Sequence, residues 1–251
     1  MASPHYCMDY SGRDPVKEDG ERDSHGLPGF IDWLLGAIVI VGGFGLVVAG
    51  MTLLVGIDRN ALVETIEAEA IETTVLMTEL TEAEIAGLAD AAVVSSAIGL
   101  VVTGVAVIGF GIGFSLYRYW IRRRTRTGVE GSSFATYAML GAIVSIAVSF
   151  IPFSTVIGGG VAGYLEGRES KRTVSVGGLA GFLPTLPVAL FTIVFLIGML
   201  FEIRAIDGQN FAILVTGTTL LAILILLTLA AGFGALGGYL GGKIAESDEQ
   251  K

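Results

Sequence analysis

Charge is scarce in this chain, and over long stretches it is absent. Charged side chains make up 16% of the residues, against about 25% in an ordinary soluble domain. The windows 33–56, 91–117, 131–165, 173–201 and 208–242 contain no Asp, Glu, Lys, Arg or His. Each is longer than the ~20 residues that span a bilayer core. Five such runs exclude a soluble globular domain. Because they are continuous rather than alternating, they also exclude a transmembrane β-barrel. The expected fold is all-α: a polytopic membrane bundle of about six transmembrane helices, in keeping with a mean hydropathy of +0.74.

Other residue types are missing in informative ways. A single cysteine, Cys7, excludes an intrachain disulfide framework. The fragment His5-Tyr6-Cys7 offers too few ligands at defined spacing for a metal site, so it is read as part of a tail. Both histidines, His5 and His25, fall in that tail. No charged or imidazole group lies within the spans to act as acid, base or metal ligand, which argues against an enzyme and against any cofactor. The net charge of −9 removes nucleic acid as a partner. Lysine is rare, four against eleven arginines, a composition expected of proteins that stay soluble in high salt.

Residues 1–29 are polar, with Pro4, Pro15 and Pro28, and read as a disordered cytoplasmic tail rather than a signal peptide. Residues 30–128 read as a two-span hairpin. Its first span, about 31–56, carries Trp33 at its mouth and a small-residue stripe of Gly42, Gly43, Gly45, Ala49 and Gly50. Between the spans, 57–90 holds nine acidic residues and one base, Arg59. A loose apolar stripe (Leu62, Ile66, Leu76) and the capping box Thr81-Glu82-Ala83-Glu84 predict an extracellular helical hairpin there. Glu64, Glu67 and Glu69 lack the turn of a calcium loop and read as a solvated acidic face.

The second span, about 91–117, ends in Tyr117, Tyr119 and Trp120, followed by Arg122, Arg123, Arg124 and Arg126. Aromatic residues before a basic cluster mark the cytoplasmic interface, and the same four arginines could hold anionic lipid headgroups. With that cluster inside, Arg59 and Arg204 are the bases left outside, and both termini are cytoplasmic.

The run 131–165 would be about 52 Å long as one straight helix, far more than the ~30 Å core. Basic residues flank it on both sides, so the chain must return to the side it left. Pro152 is the expected hairpin turn. It separates a span of about 133–150 from a short one of about 153–166, which either crosses a thinned region or is a re-entrant half-helix. Thr155, Gly159, Gly163 and Gly167 recur every four residues and form one helix face. That face suits close helix packing, or a path lined by exposed backbone. Two further spans follow, about 174–201 with Pro184 and Pro187 as kinks, and about 210–240. A charged tail, 244–251, closes the chain.

An internal similarity links two of these spans. Gly159, Gly163, Tyr164, Leu165 and Gly167 match Gly234, Gly238, Tyr239, Leu240 and Gly242 at an offset of 75 residues. Residues 129–243 thus read as a four-span glycine-rich domain of two hairpins, related by repetition or by convergent packing. Gly159, Gly163, Gly167, Gly234, Gly238 and Gly242 are its expected helix-packing residues.

The pattern Pro152-Phe153-Ser154, then Gly158 to Leu165, then a charged turn and Val176-Gly177-Gly178-Leu179-Ala180-Gly181, resembles a family of four-span membrane proteins of halophilic archaea whose domain has no known function. The resemblance covers about 130–242. It implies a membrane location, a hairpin layout and a high-salt setting, and supplies no activity.

Two functional classes remain. One is a structural or interaction component of the cytoplasmic membrane, in contact with lipid and with other membrane proteins or its own copies. The other is an uncoupled transporter or channel for a small solute, lined by backbone and by Ser145, Ser149, Ser154, Thr155 and Thr185. The hairpin itself is testable. With Cys7 replaced by Ser, a Glu169→Cys variant should react with an impermeant thiol reagent from the cytoplasmic side. Reaction from the outside alone would leave five spans and no hairpin.

Overall fold

The computed structural model describes residues 29–56, 74–75, 78–79, 82–125, 134–167 and 172–248. The tail 1–28 with Cys7 and both histidines, most of the acidic segment, Arg126 and the final three residues lie outside the described residues. Six helices and one small β-ribbon are present among them: α1 (Gly29–Gly56), β1 (Thr74–Val75), β2 (Thr78–Glu79), α2 (Glu82–Thr125), α3 (Phe134–Ala147), α4 (Ser154–Gly167), α5 (Thr173–Phe182) and α6 (Thr185–Asp248). Four stretches are long and apolar enough to cross a membrane: Trp33–Gly56, Glu84–Trp120, Thr173–Ala205 and Gln209–Asp248, each with a mean hydropathy of 2.3 or more. Apart from that ribbon and the turns, the described residues are helical, and the chain is a multi-pass membrane protein.

The acidic segment corrects one expectation. Where it is described it is not a helical hairpin. Thr74 pairs with Glu79 and Val75 with Thr78 in an antiparallel ribbon, as the β-branched Thr74, Val75 and Thr78 favour. The helix that starts at Glu82 is not separate either. It runs without a break into the membrane span, making α2 44 residues long. Residues 57–73, including Glu64, Glu67 and Glu69, lie outside the described residues.

The pair α1–α2 is held by a heptad of small residues. A Cβ added at Gly43 would lie 2.8 Å from the Gly104 carbonyl, and one at Gly50 2.6 Å from the Ala97 carbonyl. One at Gly36 would collide with the Ser115 hydroxyl. Spacings of seven on both helices, run antiparallel, keep one seam in contact along their length. Gly42 and Gly45 face open space, so the packing stripe is Gly36/Gly43/Gly50 and not the denser set expected from sequence. The opposite flank of α1 exposes Val41, Phe44, Val48, Met51 and Val55, a surface suited to lipid.

A second face of α2 meets the first arm of α6. Gly99 abuts the Phe191 ring, a Cβ added at Gly198 would strike the Ser95 hydroxyl, and Gly87 lies near Glu202. Helix α6 is 64 residues long and would reach about 96 Å if straight. It cannot be straight. Gly181, just before its start, packs on Ala230 and Gly234, and Gly177 packs on Gly234 and Gly238. Such an antiparallel register, symmetric about residue 206, requires α6 to double back between its arms Thr185–Ala205 and Gln209–Asp248.

Near mid-span the chain breaks where its prolines stand. Helix α5 ends at Phe182, Leu183 and Pro184 form a turn, and α6 restarts at Thr185. Pro184 has no N–H for the i−4 carbonyl, whereas Pro187 sits in the first turn of α6, where no such donor is needed. The Thr185 hydroxyl donates to the Phe182 carbonyl at 2.6 Å, and Leu186 N–H donates to the Leu183 carbonyl at 3.3 Å. Helices α3 and α4 form a short antiparallel hairpin against α5 and the second arm of α6. Tyr137, Ala138, Ala162, Val176 and Ala180 make its buried core, flanked by Phe134, Leu165 and Leu179.

Replacing Thr185 by the isosteric valine removes the hydroxyl that satisfies Phe182. Stability in a lipid-like detergent should fall by about 0.6–1.7 kcal/mol, the range for such bonds inside membranes. An unchanged unfolding midpoint would show that the break is satisfied by other means.

Candidate functional site: the glycine seam and the hairpin turn

All six glycines of the repeated motif come together. Helix α4 and the second arm of α6 run parallel, side by side, at close to the repeat offset. A Cβ added at Gly159 would strike the Gly234 carbonyl, and one at Gly163 would meet the backbone of Gly238. At Gly167 it would lie 3.0 Å from the Gly242 Cα and 3.1 Å from Ala245. The two helices therefore touch backbone to backbone. In lipid there is no hydrophobic drive to bring helices together, so dispersion over such close approaches holds them.

The seam is broader than the motif. On α6, Gly234 and Gly238 turn their missing side chains toward α5. A Cβ at Gly234 would meet the Gly177 carbonyl and lie 2.9 Å from the Gly181 Cα, and one at Gly238 would meet the Thr173 carbonyl. It is Gly237 and Gly241 that turn toward α4, against Val156, Gly160 and Tyr164. The arm is thus wedged between two helices, with glycine on both sides. Gly141 of α3 and Gly158 of α4 make a third contact, where Ser145 fills the space over Gly158. Sequence reasoning passed over Gly141, Gly158, Gly237 and Gly241. The signal for the last two was present in the Gly237-Gly238 and Gly241-Gly242 doublets, which put glycine on two adjacent faces of one helix.

Pro152 lies in a tight turn between α3 and α4. Ser154 N–H donates to the Ile151 carbonyl at 3.2 Å, and Phe153 has φ 67°. Proline second and a positive φ third is the pattern of a type II turn. Glycine normally takes that third position, and a side chain there costs about 1–2 kcal/mol. The Phe153 ring meets Phe233 edge-on, with centroids 5.7 Å apart, a contact worth about 0.5–1.5 kcal/mol. The aromatic contact roughly offsets the strain.

The opposite end of the hairpin gathers polar groups. Arg122, Arg123 and Arg124 lie in the final turns of α2. Register across the seams brings this end of α2 level with Trp33, Arg172 and Tyr239. Every Tyr and Trp of the described residues stands toward this end, and Trp33, Tyr117, Tyr119, Trp120 and Tyr239 are all more than half exposed. Tyr164 lies here too, its hydroxyl 3.4 Å from the Asp248 Oδ2. Among the described residues Glu166 is the charged side chain that the fold buries, with 4% exposure. Its place one turn after the fully buried Ala162 puts it on the core face of α4, a burial that its position at the end of an apolar run did not reveal. The hydroxyls of Thr103 and Ser145 are also buried, without hydrogen-bond partners. Among the described residues no three His, Cys, Asp or Glu side chains cluster as metal ligands would.

The seam allows a direct comparison. Gly238→Ala should destabilise the protein by about 1–3 kcal/mol through overpacking against backbone. Gly232→Ala, at a position with open space around it, should be neutral or slightly stabilising. Equal effects of the two on thermal unfolding would contradict the seam.

Residues 135–244 match a family model described as a family of unknown function, DUF5518. No curated protein and no solved structure matches the chain. The matched region begins with α3, runs through α4 and α5, and ends at Ile244 near the close of α6, so it contains the whole glycine seam and the Pro152 turn. The two-helix hairpin α1–α2 and the acidic segment precede it. The chain thus joins an N-terminal membrane hairpin to a region that is similar to this family of unknown function.

Proposed function

We propose that the protein is a structural or interaction component of the cytoplasmic membrane, with both termini in the cytoplasm and the acidic segment 57–90 outside. The observation that carries this reading is the closure of the glycine seam. Between α4, α5 and the second arm of α6, carbonyls lie where a single added methyl group would stand, and helices in such close contact favour a packing role over a solute path. A transporter built on related hairpins would need a site at that very interface.

The one-sided distribution of Arg122–Arg124, Arg172 and the exposed aromatics supports an orientation with that end at the cytoplasmic leaflet. The arginines there suit anionic headgroups. The acidic excess and the scarcity of lysine fit a protein whose exposed ends stay hydrated in high salt. Nothing in this reading calls for a cofactor, a metal or catalysis. Its partners are the bilayer and other membrane proteins, including further copies of the chain.

Uncoupled passage is the competing function, and it has a direct test. Liposomes that contain the purified protein should take up labelled glycerol, urea and rubidium no faster than protein-free liposomes. Saturable uptake of any of the three would overturn the structural reading.

A further inference from the structure

The short hairpin does not reach as far as its neighbours. Helices α3 and α4 have 14 residues each, about 21 Å, whereas the span Trp33–Gly56 has 24, about 36 Å. Its depth can be read from register. A Cβ added at Gly141 of α3 would lie 2.8 Å from the Ala180 Cβ of α5, and the two helices run the same way. Phe150 is therefore level with about residue 189, near the middle of the span Thr173–Ala205. The turn stops about 24 Å short of the fold-back of α6.

At that depth the turn is out of place in hydrocarbon. Phe150, Pro152 and Phe153 are exposed, Phe150 by 81%. Among the described residues the turn's backbone bonds run to the carbonyls of Ile146, Val148, Ile151 and Phe153, and those of Ser149, Phe150 and Pro152 receive none. Acyl chains have no donor to offer, and lipid-exposed irregular backbone is not found inside a hydrocarbon core. Apolar and aromatic side chains joined to unsatisfied carbonyls make an interfacial surface, not a buried one. A hydrophobic stretch too short for its bilayer is accommodated by thinning the bilayer beside it.

We propose that the α3–α4 hairpin thins the membrane locally. The leaflet on the side of the β-ribbon dips to the turn, so that water and lipid headgroups meet Phe150–Phe153, while the outward face of α1 at Gly42 keeps full thickness. The surface formed by the turn and the neighbouring arm of α6 is a lipid-deforming one, and its partner is the headgroup layer itself. This goes beyond the structural role proposed above and does not depend on it.

Cysteine labelling in sealed vesicles tests the idea. With Cys7 replaced by Ser, Phe150→Cys and Gly42→Cys sit at similar depth, one at the hairpin turn and the other on the long span α1. Gly42 has open space around it, and the contact of its neighbour Gly43 with Gly104 sets it within about one helical turn of the same level. In phosphatidylcholine vesicles a small impermeant thiol reagent should label Phe150→Cys from the β-ribbon side and leave Gly42→Cys unlabelled. Labelling of Phe150→Cys should decline as the lipid chains are lengthened. Both variants should react in detergent, which establishes that the thiols are competent and the protein intact. Loss of Phe150→Cys labelling in vesicles would mean that lipid tails or a second copy cover the turn. Equal labelling of both variants would mean that the depths are wrong. Labelling from the Arg122–Arg124 side would invert the hairpin. Each of these results would overturn the proposal.

Discussion

Backbone meeting backbone is the interaction on which the rest of this structure depends. A soluble core is held by side chains driven out of water. A membrane bundle gains nothing from moving leucine between lipid and protein, so helices must come close enough for dispersion over many atoms to matter. Here that closeness is reached twice by different spacings. The α1–α2 pair repeats small residues every seven positions, which keeps one seam between two antiparallel helices. The glycine-rich region α3–α6 uses doublets and four-residue spacings, which let one arm of α6 face α4 and α5 together. Large side chains are left to the outer surface, where lipid takes them.

The other constraint is that every backbone group inside a membrane must find a partner. It explains the details at the two breaks. Around Pro184 the chain loses a helical bond, and Thr185 returns one by donating its hydroxyl to Phe182. Around Pro152 the chain reverses, and three carbonyls of the turn are left for something other than protein to satisfy. A residue in the left-handed region would ordinarily be glycine. Phe153 stands there instead, against Phe233, and brings an aromatic ring to the tip. The break at Pro184 is satisfied internally, whereas the turn at Pro152 faces outward. Only the turn therefore says something about the surroundings of the molecule.

Much of the architecture is legible along the chain. Uncharged windows locate spans because a bilayer tolerates few buried charges; the first ends with α1 at Gly56, whereas α2 extends well beyond its window at both ends. Pro152 and Pro184 stand out because proline removes a donor wherever it sits. The acidic segment departs from its expected helical hairpin for a physical reason. Its helical stripe is loose, and the β-branched residues at Thr74, Val75 and Thr78 weigh more in a short ribbon than a periodicity of three or four apolar positions. The small-residue stripe of α1 is half right. Gly43 and Gly50 pack, whereas Gly42 and Gly45 face outward, and composition alone cannot choose between faces of a helix that is apolar all round.

The sequence by itself determined that the chain crosses a membrane several times, where it turns, and which stretches are free of side-chain bulk. These are properties of local composition, since transfer of charge into hydrocarbon and the missing N–H of proline act on each residue wherever its neighbours lie. Only the tertiary structure decided which glycine faces which helix, that Glu166 is buried, that α6 doubles back onto α5, and that the α3–α4 hairpin ends near mid-depth. Those depend on register and rotation between helices, and in a chain this apolar the registers are chosen by close contact, which no single segment contains.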